Sequence, residues 1–256
     1  MAGFNVRSVL VTGANRGIGL ELVKQFLGKS NPPKWVFATC RDPEGMQAQE
    51  LQNLASRHPN LGIVALEVTD PANVKTAAAR VEKHLKGSGL NLLINNAGIL
   101  RLTTLETETL EDMSLVYATN VIGPLLVSQV FLHLLKKAAQ QSTQTGLSCS
   151  KAAIVNISSE GGSISKLFAW QLGQVISYRC SKAALNMLTK CQSLGYGGDG
   201  ILSVAVHPGW VQTDMGSPQA PLTGEASAQG ILNVFPTLTE KDNGGFVSWE
   251  GKDLPW

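Results

Sequence analysis

The chain has 256 residues, 43% of them hydrophobic and 16% charged, with 26 glycines and 11 prolines. That hydrophobic content excludes disorder, and the length suffices for one sizeable core, a single catalytic domain over residues 1–256. Lys and Arg number 21 against 19 Asp and Glu, a net +2 without a basic run, so no nucleic-acid partner is expected.

Residues 7–12 (RSVLVT) form a short β-branched run that ends in a glycine-rich turn. Behind the turn Ile18, Leu22, Val23 and Phe26 recur at helical spacing. Residues 35–39 read as a second strand after the break at Pro32 and Pro33, residues 44–57 as a modest helix, and residues 63–68 as a third strand. Asp70 and Pro71 then open a helix as N-cap and first residue, with Val74, Ala77, Ala78, Val81 and Leu85 on one face. Further strands are expected at 90–95, 152–158 and 201–206, and helices at 108–140, 175–194 and 225–234. Near-continuous apolar strands alternating with helices predict a mostly parallel sheet covered on both faces. The fold class is α/β, a doubly wound Rossmann three-layer sandwich.

The apolar region at 121–135 is interrupted by Pro124, Ser128, Gln129 and His133, so no membrane span is expected. Residues 1–12 lack the features of a signal peptide, and Cys40, Cys149, Cys180 and Cys191 show no CxxC spacing. Reduced thiols in a cytoplasmic protein are the expectation.

The turn Thr12-Gly13-Ala14-Asn15-Arg16-Gly17-Ile18-Gly19 lies between the first strand and the first helix. Glycine there lets the backbone approach a pyrophosphate, whose charge the helix N-terminus favours. The spacing is GxxxGxG rather than GxGxxG, and its place after the first strand is what points to a dinucleotide. The end of the second strand selects between cofactors. There Cys40 is followed by Arg41, and a guanidinium suits a 2′-phosphate. Arg16 supplies a second cation, so NADP(H) is expected; Asp42 keeps NAD open, since an acid in this region takes a ribose hydroxyl.

Tyr178 and Lys182 stand at i and i+4, which puts a phenol and an ammonium on one helix face. A neighbouring cation stabilises the phenolate and makes the pair a proton donor and acceptor. Ser158 and Ser159 end the fifth strand at the carboxyl edge of the sheet, where ligands bind in such folds. One of the two hydroxyls is expected to cap a turn. Pro124 has no N–H for the carbonyl of Asn120, four residues before it, so a kink and a freed carbonyl are expected there, with water as its natural partner.

With those residues in place the chain resembles the short-chain dehydrogenase/reductase family over essentially its whole length. TGANRGIG (12–19), NNAG (95–98), TNVIG (119–123), NISS (156–159), YRCSK (178–182) and HPGWVQTDM (207–215) occur in the family's order. The carbonyl-reductase branch, the sniffer-like reductases in particular, is the nearest resemblance. It implies that Tyr178 protonates the substrate oxygen, that Lys182 lowers the phenol's pKa and holds the nicotinamide ribose, and that Ser159 orients the carbonyl. It further implies a water on the Asn120 carbonyl, adenine beside Asp70, and the adenosine ribose near Asn96. Gly98 would end the loop at the cofactor, and Val211 and Thr213 would meet the nicotinamide carboxamide.

From Ser159 to Tyr178 is 19 positions, longer than in compact relatives. The intervening segment, with Leu167, Phe168 and Trp170, is read as a pocket wall or lid, the alternative being a self-packed surface loop. It also bears on the helix through which relatives associate, which leaves a homodimer open. The short segment 216–224 leaves the site accessible to varied carbonyl substrates. His58, His84, His133 and His207 lack metal-ligand spacing and no GxSxG elbow occurs, so neither a metal site nor a hydrolase is expected.

The expectation is therefore NADPH-dependent reduction of a small-molecule aldehyde or ketone. An NAD-dependent alcohol dehydrogenase and an idle dinucleotide-binding redox sensor or scaffold are the alternatives.

Overall fold

The computed structural model describes residues 4–167 and 169–256. Seven strands, β1 (Ser8–Val11), β2 (Trp35–Cys40), β3 (Leu61–Ala65), β4 (Leu92–Asn95), β5 (Ala153–Ile157), β6 (Leu202–His207) and β7 (Phe246–Ser248), build one sheet. Their order is β3-β2-β1-β4-β5-β6-β7, and every pairing is parallel. Alternation along each strand sends side chains to opposite layers. Val9 and Val11 enter one core, and Leu10 between them enters the other.

Helices α1 (Gly17–Leu27), α2 (Gln49–Ala55) and α7 (Gly224–Val234) cover the first core, where Leu22, Val23, Phe26, Leu51 and Ile231 are fully buried. Helices α3 (Pro71–Leu85) and α5 (Gly123–Gln141) cover the second with Val74, Val81, Val127, Phe131 and Leu134. Removing the fully buried Phe131 ring would cost roughly 3–5 kcal/mol, since a packed core collapses only partly around the cavity left behind. Two further helices, α4 (Leu110–Tyr117) and α6 (Ile176–Tyr196), pack together beside α5. The chain runs from β1 outward to β2 and returns to place β4 on the opposite side of β1. The crevice over the carboxyl ends of β1 and β4 is where doubly wound sheets hold ligands.

Local chemistry explains the element boundaries. The Asp70 carboxylate accepts hydrogen bonds from the Ala72 and Asn73 N–H groups at 2.9 and 3.2 Å, so α3 starts at Pro71 as its cap chemistry predicts. Strand β3 ends at Ala65, short of residue 68, because Leu66–Thr69 leave the sheet to form a rim of the crevice. Strand β7 was not legible: three residues behind Gly244 and Gly245 are too few to show a period.

The long helix is irregular ahead of Pro124, where the sequence places its fault. Ala118–Ile122 widen into a π turn in which the Gly123 N–H bonds to the Ala118 carbonyl five residues back. One extra residue in the turn absorbs the missing N–H of Pro124. Leu110–Gln141 is long and apolar enough to cross a membrane by length and composition. Its apolar side is the packed side: Val127, Phe131, Leu134 and Leu135 are fully buried against the sheet.

Candidate active site

A cleft of about 1360 Å³ opens over the carboxyl ends of the central strands. Its floor is the glycine turn. Gly13 and Gly17 have φ of +62° and +54°, the left-handed region that favours glycine. A Cβ on Gly13 would lie 2.9 Å from the Ala97 Cα, and one on Gly19 would lie 2.4 Å from the Gly13 carbonyl oxygen. The turn is braced by Asn96, whose Nδ2 donates to the carbonyls of Thr12 and Gly13 at 2.9 and 3.1 Å. Asn15, Arg16, Ile18, Asn96 and Gly98 all line the cleft, whereas Gly19 is buried beneath the turn.

Residues present at the cofactor-selecting end fit a 2′-phosphate. Arg41 lines the cleft at the end of β2, with its nearest carboxylate, Glu67, 4.0 Å away. Asp42 turns back into its own loop, accepting from the Glu44 N–H at 3.1 Å. The acid that kept NAD open thus caps a turn. Arg16 lines the same cleft as Arg41, and its guanidinium pairs with Asp214 at 2.9 Å. The reason is proximity: a Cβ on Gly17 would lie 3.3 Å from the Thr213 methyl, so the 208–216 loop abuts the turn.

Three further residues occupy positions of differing use. Asp70 is engaged as the α3 cap, and Leu66–Thr69 line the cleft ahead of it. Val211 is buried and bridges to Leu222, while Thr213 reaches the cleft and accepts from the Gly216 N–H at 3.1 Å.

At the other end, α6 presents Tyr178 and Lys182 to the cleft, with the Lys182 Nζ 5.5 Å from the centre of the phenol ring. Nζ donates to the Ile157 carbonyl at the tip of β5 at 2.8 Å. Burial lowers the Lys182 pKa to about 8. Burial also raises that of Tyr178, opposed by the Ser159 hydroxyl and by Arg179. Desolvation is the largest of these influences on the phenol. Ser159 accepts from the Gly161 N–H at 3.0 Å, which leaves its own proton for another acceptor. Ser158 is buried and donates to the Asn186 Oδ1 at 2.5 Å, a structural role.

Asn120 is fully buried within the π turn. Its side chain accepts from the Ile99 N–H and donates to the Ile99 carbonyl, both at 2.9 Å, and donates to the Ser181 Oγ at 3.0 Å. The Ser181 hydroxyl in turn donates to the Tyr178 carbonyl at 2.7 Å.

The profile described as short chain dehydrogenase matches residues 7–221. The chain belongs to the short-chain dehydrogenase family. This short-chain dehydrogenase is 32% identical to an uncharacterized oxidoreductase of Schizosaccharomyces pombe, with 96% of each chain covered. Among solved structures, NADPH-bound carbonyl reductase from chicken fatty liver is 65% identical with a TM-score of 0.96, over 98% of this chain and 100% of that one. The carbonyl reductase Sniffer of D. melanogaster is 39% identical with a TM-score of 0.94 at the same coverage. The carbonyl-reductase branch indicated by the motifs is thus the branch of these two solved structures.

Against that background, segment 160–177 of this short-chain dehydrogenase is an anchored surface excursion. Among the described residues, none between 163 and 175 lines the cleft. Ile164, Leu167 and Leu172 are exposed, Trp170 stacks over Arg179 at 5.8 Å, and Phe168 lies outside the described residues. The wall expected of this segment is supplied by Ile99, Leu100 and Leu115 instead. Sequence reading missed Ser181, Asp214 and Glu108. Each acts through a partner 60 or more residues away, and no local pattern announces it.

Proposed function

We propose that the chain reduces aldehydes and ketones to alcohols with NADPH, as one catalytic unit over residues 1–256. The observation that carries this is the facing of two sites across one cleft, the glycine cradle with Arg41 at one end and Tyr178 and Lys182 at the other, with Ser159 hydrogen-bonded to Tyr178. When bound, NADPH supplies hydride to the carbonyl carbon. Ser159 donates its free proton to the substrate oxygen and orients it. Tyr178 transfers its phenolic proton to that oxygen as it becomes an alkoxide. Lys182 stabilises the resulting phenolate. Asn120, through its carbonyl and a water, returns a proton by way of Lys182. The cradle of Gly13, Asn15, Gly17, Ile18 and Gly19 takes the pyrophosphate, Arg41 the 2′-phosphate, and Thr213 the nicotinamide side. Arg16 reaches the phosphate after releasing Asp214. Asn96 and Gly98 shape the cradle's far wall, and Asp70 and Val211 act by holding Leu66–Thr69 and Thr213 in place.

The test is a panel of aldehydes and ketones assayed with NADPH and NADH in parallel. Turnover with NADPH is expected, together with a loss of roughly 10²–10⁴-fold in Tyr178→Phe. Undiminished turnover in that variant would remove Tyr178 from the mechanism. A cytoplasmic setting is supported by the free thiols of Cys40, Cys149, Cys180 and Cys191. A homodimer is supported by an exposed stripe on α6, Cys180, Met187, Cys191 and Leu194, and sedimentation velocity reads it directly.

A further inference from the structure

The helix that carries Tyr178 begins in an unusual way. Val175, the residue before α6, is in the left-handed region with φ of +40° and ψ of +56°, and its own side chain provides no cap hydrogen bond. A β-branched residue is strained in that conformation and persists only where its surroundings hold it. The first N–H groups of a helix also require acceptors from elsewhere.

Those acceptors come from residues 103–108. The Val175 N–H donates to the Thr103 carbonyl at 2.9 Å. The Ser177 N–H, one residue before Tyr178, donates to the Glu108 Oε2 at 2.9 Å. The same oxygen accepts from the Thr103 hydroxyl at 2.5 Å. Leu105 donates its N–H to the Gln174 Oε1 at 2.9 Å, and Arg179 holds the Gly173 and Gln174 carbonyls at 3.0 and 2.8 Å. The junction is interior: Glu108 Oε1 and Ser177 Oγ are both shielded from solvent. At its other end this stretch continues into Ile99, Leu100 and Arg101, which wall the cleft, and Ile99 is held by Asn120. A carboxylate at a helix N-terminus is favoured by both the exposed N–H groups and the helix dipole.

We propose that Glu108 is a positioning residue, which caps α6 from outside through the Ser177 N–H and so fixes Tyr178 relative to Ser159 and the cleft wall. This rests on the assignment of Tyr178 as the acid. No pair of residues close in sequence carries the contact; it exists because the 99–108 stretch passes over the start of α6.

The test compares Glu108→Ala and Glu108→Gln with the wild type, by amide hydrogen exchange and steady-state kinetics. In Glu108→Ala the amides of residues 177–179 exchange faster and kcat falls roughly tenfold, the loss of a cap expressed as a rate. The KM for NADPH stays at its wild-type value. Glu108→Gln keeps an oxygen acceptor and recovers most of kcat. Thr103→Val, which removes a second donor to the same oxygen, gives the same direction if the alanine variant does not fold. Wild-type exchange in the first turn, an unchanged kcat, or a glutamine variant as impaired as alanine overturns the proposal. Tyr178→Phe run alongside separates the two readings. Turnover surviving in that variant removes Tyr178 as the acid, whereas the exchange data judge the Glu108 cap by themselves.

Discussion

At the scale of single residues, charge placement decides cofactor choice. Arg41 is three-quarters exposed and only loosely opposed by Glu67, so it is available to a phosphate. A hydrogen bond to a charged group is worth about 1.5–3 kcal/mol, so Arg41→Ala should weaken NADPH roughly 10–100-fold. Equal NADPH affinity in variant and wild type, measured by fluorescence titration, would move the phosphate site elsewhere. NADH affinity should not change. Lys182 gives a pH prediction. Burial holds its pKa at about 8, so the ammonium is present below that pH and neutral above it. Since the charged form supports the phenolate, kcat/KM for carbonyl reduction should fall as pH rises through about 8. Flat activity from pH 7 to 9.5 would contradict a cationic Lys182 in the free enzyme. Residue identities at this end were legible because Tyr178, Lys182 and Ser159 lie in short local patterns. Their electrostatic balance was not, because burial dominates both titrating groups and burial is a property of the folded chain.

At the scale of elements, the π turn is where the helix and the site meet. Pro124 leaves the Asn120 carbonyl without its i+4 donor, and the widened turn buries the Asn120 side chain against Ile99 and Ser181. Pro124→Ala supplies the missing N–H, which should let Ala118–Ile122 relax toward α geometry and withdraw Asn120 from Ile99. The expected result is a kcat lowered by about tenfold, ~1.4 kcal/mol, without loss of Tm. A wild-type kcat would uncouple the π turn from activity. The proline was readable as a fault in the helix, yet the extra residue of the π turn was not, because the sequence shows only the missing donor and not how the backbone accommodates it beside α6. Asp70 shows the converse: a cap acts within its own turn, so its contact with α3 was legible from two letters.

At the scale of the whole molecule, the parallel sheet and its two covering layers followed from near-continuous apolar runs alternating with helices, since each run must bury both faces. The three-residue edge strand β7 escaped because its pairing with β6 is made by the fold and not by its own composition. His207 links the sheet to the site. It ends β6, is largely buried, and its Nδ1 accepts from the Glu160 N–H at 3.2 Å beside Ser159. Burial lowers its pKa from 6.5 to about 4, despite Glu160. The unfolded chain therefore binds the proton first as pH falls. Stability is full above about pH 6.5 and declines between there and about pH 4, by on the order of 3 kcal/mol at the lower end. His207→Gln should flatten that decline in urea titrations from pH 7 to 4. An unaltered slope would assign the acid sensitivity to other groups.

The pair between Arg16 and Asp214 has a kinetic consequence. It joins the glycine turn to the 208–216 loop across the mouth of the cleft, with both side chains more than half exposed. An exposed pair contributes about 0–1 kcal/mol and is screened by salt. Such a clasp opens many times within a catalytic cycle and holds no one position for long. The residence time of the spent dinucleotide should therefore shorten as ionic strength rises, and turnover limited by its departure should quicken in the same solutions.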